Sequence, residues 1–586
     1  MNAAARAEAV SRLLLVEKSG VFVGALPWKE EEGEEEEDDN DDDDNVRRAS
    51  SSSTLTSTSV LTPTAMAATT DLVAGATRWR RALDAALASL CGRSVEELDA
   101  PLRQVLRVAL YELASTCRGG GDGRERRTSR RRRRDPASAA AGIVAAAVDL
   151  ARSSGHAGSA KLANAVLRRA AAAILNEEEA AEGGEGTSSP PPLLPRSLLP
   201  PPPPADAPER ARLRSLAVAW SHPDWLVRRW ARRFGAEGVE ALLAANNRRP
   251  RHALRAVVVV SADGDKDNAT SSSSLLPSLL LGRALDALEE EEKEEERDEE
   301  REGKNKEKRK LVEWRRSAVL PEEFVVVERG MGAALSGLVR KKKRVDHHPR
   351  NSTTTIVSAA VQDEASAAVV ALADPRPGER VLDLCSAPGG KALFAAARMG
   401  GQGLLVARDS SAARLRPLRA AAEAQGVRAP FLVVEEADGR EEEEEEKVAE
   451  EEEEEGNTFD LVLVDAPCSG TGVLGKRADA RWRKRGSDLA SLALLQDALL
   501  VSASKKVRPG GGRLVYSTCS LEPEENAERV FAFLKSGAGA GFELDETVDA
   551  ASLGLPAEMI TSEGVLEALP HVHGTDGAFA ARMVRR

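Results

Sequence analysis

The sequence predicts an α/β carboxy-terminal domain built on a doubly wound, mostly parallel sheet, preceded by an all-α module and a small α+β subdomain. Three observations lead there. From Ala360 onward, short apolar runs alternate with helical segments, the pattern of parallel strands joined by crossover helices. The first of these runs enters a Pro-Gly-Gly turn, and two later ones end in short cysteine-containing peptides. Chemistry-bearing residues therefore collect at the carboxyl edge of the sheet, where open α/β folds bind their ligands. Within the first 175 residues, by contrast, apolar residues recur at helical spacing. A chain of 586 residues has room for more than one domain.

Taken in order, residues 4–23 read as a helix with Ala5, Ala9, Leu13 and Leu14 near one face. The stretch 30–65 is acidic and then Ser/Thr-rich, a composition that predicts disorder. Helical patterning resumes at 71–79 and continues through 102–114, and an Arg-rich loop (118–134) interrupts it. Two further helices are expected over 139–153 and 159–175. A Pro-rich linker (189–204) leads into a helical connector over 205–252 that contains His222-Pro-Asp-Trp-Leu-Val-Arg-Arg-Trp230 and Ala244-Ala-Asn-Asn-Arg-Arg-Pro250. Residues 253–360 then alternate apolar strands (256–260 and 323–328) with a helix near 276–288, an α+β pattern blurred by charged insertions.

The carboxy-terminal domain is expected over 361–586, with strands at 380–385, 404–409, 431–435, 459–465 and 512–517. Residues 576–584 read as a closing strand. The acidic run 441–455 lies between two of these strands, where a surface bulge leaves the core intact.

Net charge, −13 over the chain, conceals a basic remainder. Three low-complexity runs (30–44, 289–302 and 441–455) hold 36 of the 95 acidic residues and only four bases, leaving 78 basic against 59 acidic residues, a net of +19. Such a surface suits a nucleic-acid partner. Five scattered cysteines (Cys91, Cys117, Cys385, Cys468, Cys519) form neither a disulfide framework nor a CxxC zinc pair, so free thiols and no metal are expected. No apolar run of 18 residues suggests a membrane span.

Two peptides carry the chemistry. Asp465-Ala-Pro-Cys-Ser-Gly470 and Ser517-Thr-Cys-Ser520 each follow an apolar run and each present a cysteine flanked by serine. Upstream, Val381-Leu-Asp-Leu-Cys-Ser-Ala-Pro-Gly-Gly-Lys391 runs from strand to glycine turn to helix, and Pro388-Gly-Gly390 lets the backbone approach a ligand closely. Asp409 ends the second strand, where an acid can accept the two hydroxyls of a ribose. Asp438, in Ala437-Asp-Gly-Arg440, ends the third and would lie near an adenine, although a plain Asp-Gly turn is a serious rival there. A nucleotide-like ligand beside two cysteines points to nucleophilic catalysis with a bound cofactor. Either cysteine alone could be a small core residue; the residues themselves do not rank the two. Arg477, Arg481, Trp482 and Arg483 follow the Pro-Cys-Ser peptide and could hold RNA phosphate and stack on a base, with a basic helix carrying one buried Trp as the alternative.

On these motifs the chain resembles the Sun-type RNA cytosine-5 methyltransferases. Leu72-Val-Ala-Gly75, Arg78-Trp79 and Asn164-Ala-Val-Leu-Arg168 make the first module (3–175) similar to the NusB-like RNA-binding domain that marks the family's bacterial-type small-subunit ribosomal RNA branch. The resemblance implies a Rossmann-like methyltransferase domain, S-adenosyl-L-methionine as cofactor and small-subunit ribosomal RNA as partner, in a monomer. It places the cofactor on Cys385, Ser386, Ala387, Pro388, Gly389, Gly390, Lys391, Asp409, Asp438 and Asp465. By the same resemblance, Cys519 of Thr-Cys-Ser is the nucleophile and Cys468 of Pro-Cys-Ser assists product release. DNA cytosine methyltransferases use the Pro-Cys cysteine instead, so this order rests on the resemblance.

The chemistry explains the need for a thiol. Cytosine carbon 5 becomes enamine-like once a thiolate has added to carbon 6, and can then attack a sulfonium methyl; a base removes the carbon 5 proton and the thiolate leaves. The chain departs from the family in its acidic insertions, its Arg-rich loop and Arg408, which precedes Asp409 where an apolar residue is usual. Rival readings are a transfer-RNA methyltransferase of the same superfamily and a non-catalytic RNA-binding assembly factor. A helix starting within a few residues of Met1 leaves no room for a transit peptide, so a cytoplasmic enzyme is expected, or a plastid or mitochondrial one if the sequence lacks its leader.

Overall fold

A computed structural model describes residues 3–19, 61–117, 135–153, 158–181, 192–262, 277–278, 281–282, 284–286, 312–329, 343–346, 353–440 and 458–586. The chain divides into two compact units, Met1–Arg248 with Arg477–Lys484, and Arg249–Lys476 with Arg485–Arg586. The Arg-rich loop, the acidic runs 289–302 and 441–455, and most of the stretch 30–65 lie outside the described residues.

The first unit is helical: α1 (Ala3–Ser19), α2 (Pro63–Arg78), α3 (Arg80–Cys91), α4 (Ala100–Cys117), α5 (Pro136–Ser153), α6 (Ser159–Ala181), α7 (Glu209–Ala219) and α8 (Asp224–Asn247). Thr62 caps α2 by accepting from Ala65 N, and Pro63 takes the first helical position, where a missing N–H costs nothing. That cap corrects the expected stretch 30–65, which gives way to helix at residue 63. Buried along nearly its whole length, α4 pairs its charges internally: Glu112 with Arg6 at 2.7 Å and Arg107 with Asp84 at 2.6 Å. Gly75 lies so close to Tyr111 that a Cβ there would fall 1.9 Å from the ring, so α2 and α4 can approach only at a glycine. Within the Pro-rich linker, Leu194 and Leu198 are buried, and the turn Arg196–Leu198 packs on α3 and α6.

Arg477–Lys484, a stretch from late in the sequence, belongs to this unit. Arg481 is 1% exposed and donates to the carbonyls of Arg78 (3.4 Å), Ser221 (3.2 Å) and Asn246 (3.2 Å), and to Asn247 Oδ1 at 2.8 Å. These acceptors lie at or just past the carboxyl ends of α2, α7 and α8, where unpaired carbonyls and the helix dipoles favour a cation. Trp482 donates to the Thr77 carbonyl at 2.8 Å, under the Arg80 guanidinium. The expected RNA-gripping role of Arg481 and Trp482 is thus replaced by the alternative reading, a basic segment committed to packing.

The second unit holds two sheets. The smaller is antiparallel, in the order β2-β3-β1-β5-β4, from β1 (His252–Ala262), β2 (Glu313–Arg316), β3 (Phe324–Arg329), β4 (Lys343–Asp346) and β5 (Thr353–Val361). Two of its strands, β1 and β3, follow the sequence expectation, and short helical pieces are described within 277–286.

The larger sheet carries β6 (Arg380–Asp383), β7 (Leu404–Asp409), β8 (Leu432–Glu436), β9 (Leu461–Asp465), β10 (Arg513–Thr518), β11 (Phe542–Leu544), β12 (Leu566–Ala568) and β13 (Ala578–Arg585). Its order is β11-β13-β10-β9-β6-β7-β8; the five strands from β10 to β8 in that order are parallel, β13 runs antiparallel beside β10, as the tail predicted, and β11 lies outside it. Successive side chains alternate faces. Leu461 and Leu463 enter one core with α9 (Glu364–Ala373), α10 (Gly390–Arg398) and α11 (Ala412–Gln425), while Val462 and Val464 enter another with α12 (Asp488–Lys506) and α13 (Ala527–Leu534). Chain order reverses between β6 and β9. Their carboxyl ends form the switch point at which such sheets bind ligands.

Candidate active site

Neighbouring parallel strands bring the two cysteines together. β9 and β10 pair in register with Ser517 opposite Asp465, so the peptides beyond them leave the sheet side by side. Ala466 N donates to Ser517 O at 2.9 Å, and Cys468 Sγ lies 3.2 Å from Cys519 Sγ. Gly472 fits where nothing larger could: its N–H donates to Cys519 O at 3.0 Å, and a Cβ would fall 2.8 Å from that oxygen and from Gly577. Both cysteines are half-buried. The contact with Cys519, then burial, then the charges of Cys519, Glu525 and Asp465 push the Cys468 thiol well up, so this sulfur keeps its proton.

Beside them stands an ion pair. Lys391 Nζ, from the first turn of α10, lies 2.7 Å from Asp465 Oδ2, and Ser517 Oγ donates to Asp465 Oδ1 at 2.8 Å. Burial alone would lower the ammonium's affinity for its proton, but the charge and hydrogen bond of Asp465, with Cys519 and Asp383, more than offset it. Lys391 therefore stays cationic next to both Asp465 and Cys519. Asp383, at the end of β6, is raised to about 7 by burial and then by the Asp465 charge.

The turn from Cys385 to Lys391 is stitched across three strands. Leu384 N donates to Leu463 O, Ser386 N to Arg408 O, and Ala387 N to Asp409 Oδ2. Gly389 has φ +107°, a left-handed conformation, and a Cβ on it would meet Leu418 at 2.4 Å. It opens α10 without any side-chain cap, so the first amides of the helix remain for a ligand. Asp409 is buried at the end of β7; among the described residues its Oδ1 makes no hydrogen bond and faces the half-exposed Arg414 at 3.3 Å. A spare acceptor and an uncapped glycine turn fit a cofactor with ribose hydroxyls and an amino-acid tail. Cys385 is held here with its thiol pushed up by burial. Arg408 pairs sideways with Glu435, its register partner on β8, at 2.7 Å.

Asp438 is held within its own turn. It lies beyond β8 and accepts from its own turn at Arg440 N (3.0 Å) and from the Arg440 guanidinium, which hold its carboxyl down at about 2. That is the geometry of the rival Asp-Gly turn.

Sequence reasoning passed over the groups beneath the cysteine peptides. Glu525, completely buried, accepts from Ser469 N (2.8 Å), Ser469 Oγ, Ser520 Oγ (2.5 Å) and Gln496 Nε2 (3.2 Å). Pro523-Glu-Glu-Asn526 follows Thr-Cys-Ser closely, but nothing in the string separates buried Glu525 from its neighbour Glu524. A second cluster joins Lys476 to Asp363 and, at 3.0 Å, to Asp576, whose carboxyl is raised to about 7 by burial and then by Asp363.

Comparison with known proteins agrees with this geometry. The family model described as 16S rRNA methyltransferase RsmB/F matches residues 370–584, the NusB family model matches 33–118, and the ferredoxin-like domain of RsmF/B-like methyltransferases matches 222–256. The chain is 28% identical over 376 residues to "Probable ribosomal RNA small subunit methyltransferase B" of Bacillus subtilis, covering 64% of this chain and 68% of that one. It is 36% identical over 228 residues to the Erwinia tasmaniensis "Ribosomal RNA small subunit methyltransferase B", covering 38% of this chain but 46% of that protein's length. The solved structure of PH0851 shares the fold at a TM-score of 0.53 and 21% identity, covering 92% of this chain and 93% of that one. With NusB and ferredoxin-like models before it, the sheet that carries both cysteines matches the 16S rRNA methyltransferase RsmB/F model, and the domain is similar to that family, whose methyl donor is S-adenosylmethionine.

Proposed function

We propose that the chain methylates carbon 5 of a cytosine in small-subunit ribosomal RNA through a covalent adduct between Cys519 and carbon 6. One observation carries the reading: two free thiols 3.2 Å apart beyond adjacent strand ends, beside a half-buried Lys391–Asp465 pair. Cofactor residues are proposed as the turn Cys385–Lys391 with Asp409, Asp465 and, at the margin, Asp438. S-adenosylmethionine supplies the methyl group when bound.

The chain's own residues do the rest. Cys519 lies within electrostatic reach of the Lys391 cation. Its addition to carbon 6 activates carbon 5 as a nucleophile, dividing one hard step into two easier ones. Cys468 keeps a proton within reach of the Cys519 sulfur and assists release of the product. Asp465, fixed by Lys391 and Ser517, keeps one carboxylate at the point where base and cysteine meet. The sequence alternatives, a transfer-RNA substrate or a silent assembly factor, find no specific support in this geometry.

RNA containing 5-fluorocytosine tests the reading, because fluorine cannot leave as a proton would and the adduct is trapped. Trapping should occur in the parent protein and vanish in Cys519→Ala. Cys468→Ala should instead accumulate a denaturation-resistant complex with unmodified RNA. A fully active Cys519→Ala protein would overturn the assignment.

A further inference from the structure

Glu525 is a carboxylate with no exposed surface, and its four partners are neutral. Burying such a charge is unfavourable unless every lone pair finds a donor. An ionised carboxylate has about four acceptor sites. Here four donors converge on it from three segments: the amide and hydroxyl of Ser469, the hydroxyl of Ser520 and the Gln496 amide. Ser469 and Ser520 are the residues directly after Cys468 and Cys519. One carboxylate therefore ties both cysteine peptides together from below.

The surroundings hold that carboxylate in place. Tyr516 Oη donates to Glu525 O at 2.6 Å, and Gln496 Nε2 also reaches Pro467 O at 2.9 Å. Asn526 Nδ2 donates to Ser520 O at 2.9 Å, Ser469 Oγ lies 3.1 Å from Ser520 Oγ, and Leu521 N donates to Thr471 Oγ1 at 2.9 Å. Among these side chains only Glu525 contacts both serines and carries a charge. An amide in its place would turn an NH₂ toward donors that need an acceptor.

We propose that Glu525 is a positioning residue, a buried clamp that sets the spacing between Cys468 and Cys519. The proposal deepens the cysteine mechanism above, and rests on it for its catalytic consequence but not for its geometry. Its negative charge also faces the Cys468 thiol, together with Asp465 and Cys519, and so helps that sulfur keep its proton.

The test uses the full-length protein and two variants, Glu525→Gln and Glu525→Asp. Diamide, a thiol oxidant, reports the spacing without RNA: it takes two electrons and two protons from the paired thiols, becomes a hydrazine, and leaves a Cys468–Cys519 disulfide that peptide mapping identifies. Glu525→Gln should form this disulfide about tenfold more slowly and lose kcat by a similar factor, because small misplacements of reacting groups are costly. Its KM for S-adenosylmethionine should not change. Glu525→Asp keeps the charge and should recover part of both rates. If Glu525→Gln fails to fold, Ser520→Ala removes one strap and should give the same pattern more weakly. Disulfide formation and kcat at parent rates in Glu525→Gln or Ser520→Ala would overturn the clamp. A slowed disulfide in a protein whose parent form never traps 5-fluorocytosine RNA would uphold the clamp and instead refute the proposed function.

Discussion

Adding one methyl group at Gly472 should slow methyl transfer without unfolding the sheet. A Cβ at this position would lie 2.8 Å from three atoms, Cys519 O, Gly577 Cα and Gly577 O. All three are backbone, so no flexible side chain can yield. Ordinary contact needs about half an ångström more, since non-bonded carbon contacts are optimal near ~3.5 Å. The displacement falls on both hydrogen-bonded neighbours, because Gly472 N donates to Cys519 O and Gly577 N donates to Gly472 O. Cys519 must then shift relative to the Lys391–Asp465 pair. Errors of about 1 Å in reacting groups cost on the order of 100-fold, so half that displacement should cost roughly tenfold, or about 1.4 kcal/mol of barrier.

Single-turnover methyl transfer, with 5-fluorocytosine trapping alongside, measures the loss. Gly475→Ala is the control, since a Cβ there meets nothing within 4 Å. A Gly472→Ala protein that transfers methyl at the parent rate would refute the argument that this contact sets the position of Cys519. A drop in Gly475→Ala as well would show that the loop responds to any substitution.

Three further outcomes are expected. Asp383 keeps its proton to about 7 in the fold whereas in an unfolded chain it ionises near 3.8, so stability should fall as pH rises between those values, by up to about 4 kcal/mol; melting of Asp383→Asn should depend less on pH from 5 to 8 than the parent does, and equal slopes would refute the assignment. Arg481→Met strands carbonyls at three helix ends and should destabilise the helical unit by about 3 kcal/mol, whereas weaker RNA binding at unchanged stability would restore the phosphate-gripping role. Deleting 441–455 should leave folding and methyl transfer intact and raise RNA affinity most at low salt, because a Glu-rich run competes with phosphate only where charges are poorly screened; loss of turnover with cofactor still bound would show that the run takes part in the enzyme.

The large sheet was legible because its strands carry continuous apolar runs ending in turn residues. Leu461–Asp465 is buried on both faces, so neither period nor polarity misleads. The small sheet was half hidden. Its strand β5 begins with three threonines, and Glu313–Arg316 is a four-residue strand of charged residues and one Trp; neither stands out from the charged insertions nearby. The segment Arg477–Lys484 shows a different limit. Its arginines and Trp have the composition of an RNA-binding surface, and only the helix ends that receive Arg481 reveal it as packing. Composition reports that a cation is present but not whether carbonyls or phosphates will surround it.

The site divides along the same line. Asp465 was found because it ends a strand, and Cys468, Cys519 and Lys391 because they lie in the peptides that follow strands, which can be read from sequence. Their distances follow from strand order, which places β9 between β6 and β10 although β6 precedes it by about eighty residues in the chain. Glu525 has no such marker. Its carboxylate accepts from loop and helix groups rather than from a strand or a cation, and its value lies in joining two loops that are 51 residues apart, as Ser469 and Ser520 show. A group that works by accepting hydrogen bonds from other segments carries no local signal, because its donors are scattered through the sequence. Residues that react announce themselves by type and position, whereas residues that hold them become visible only when the donors are counted in three dimensions.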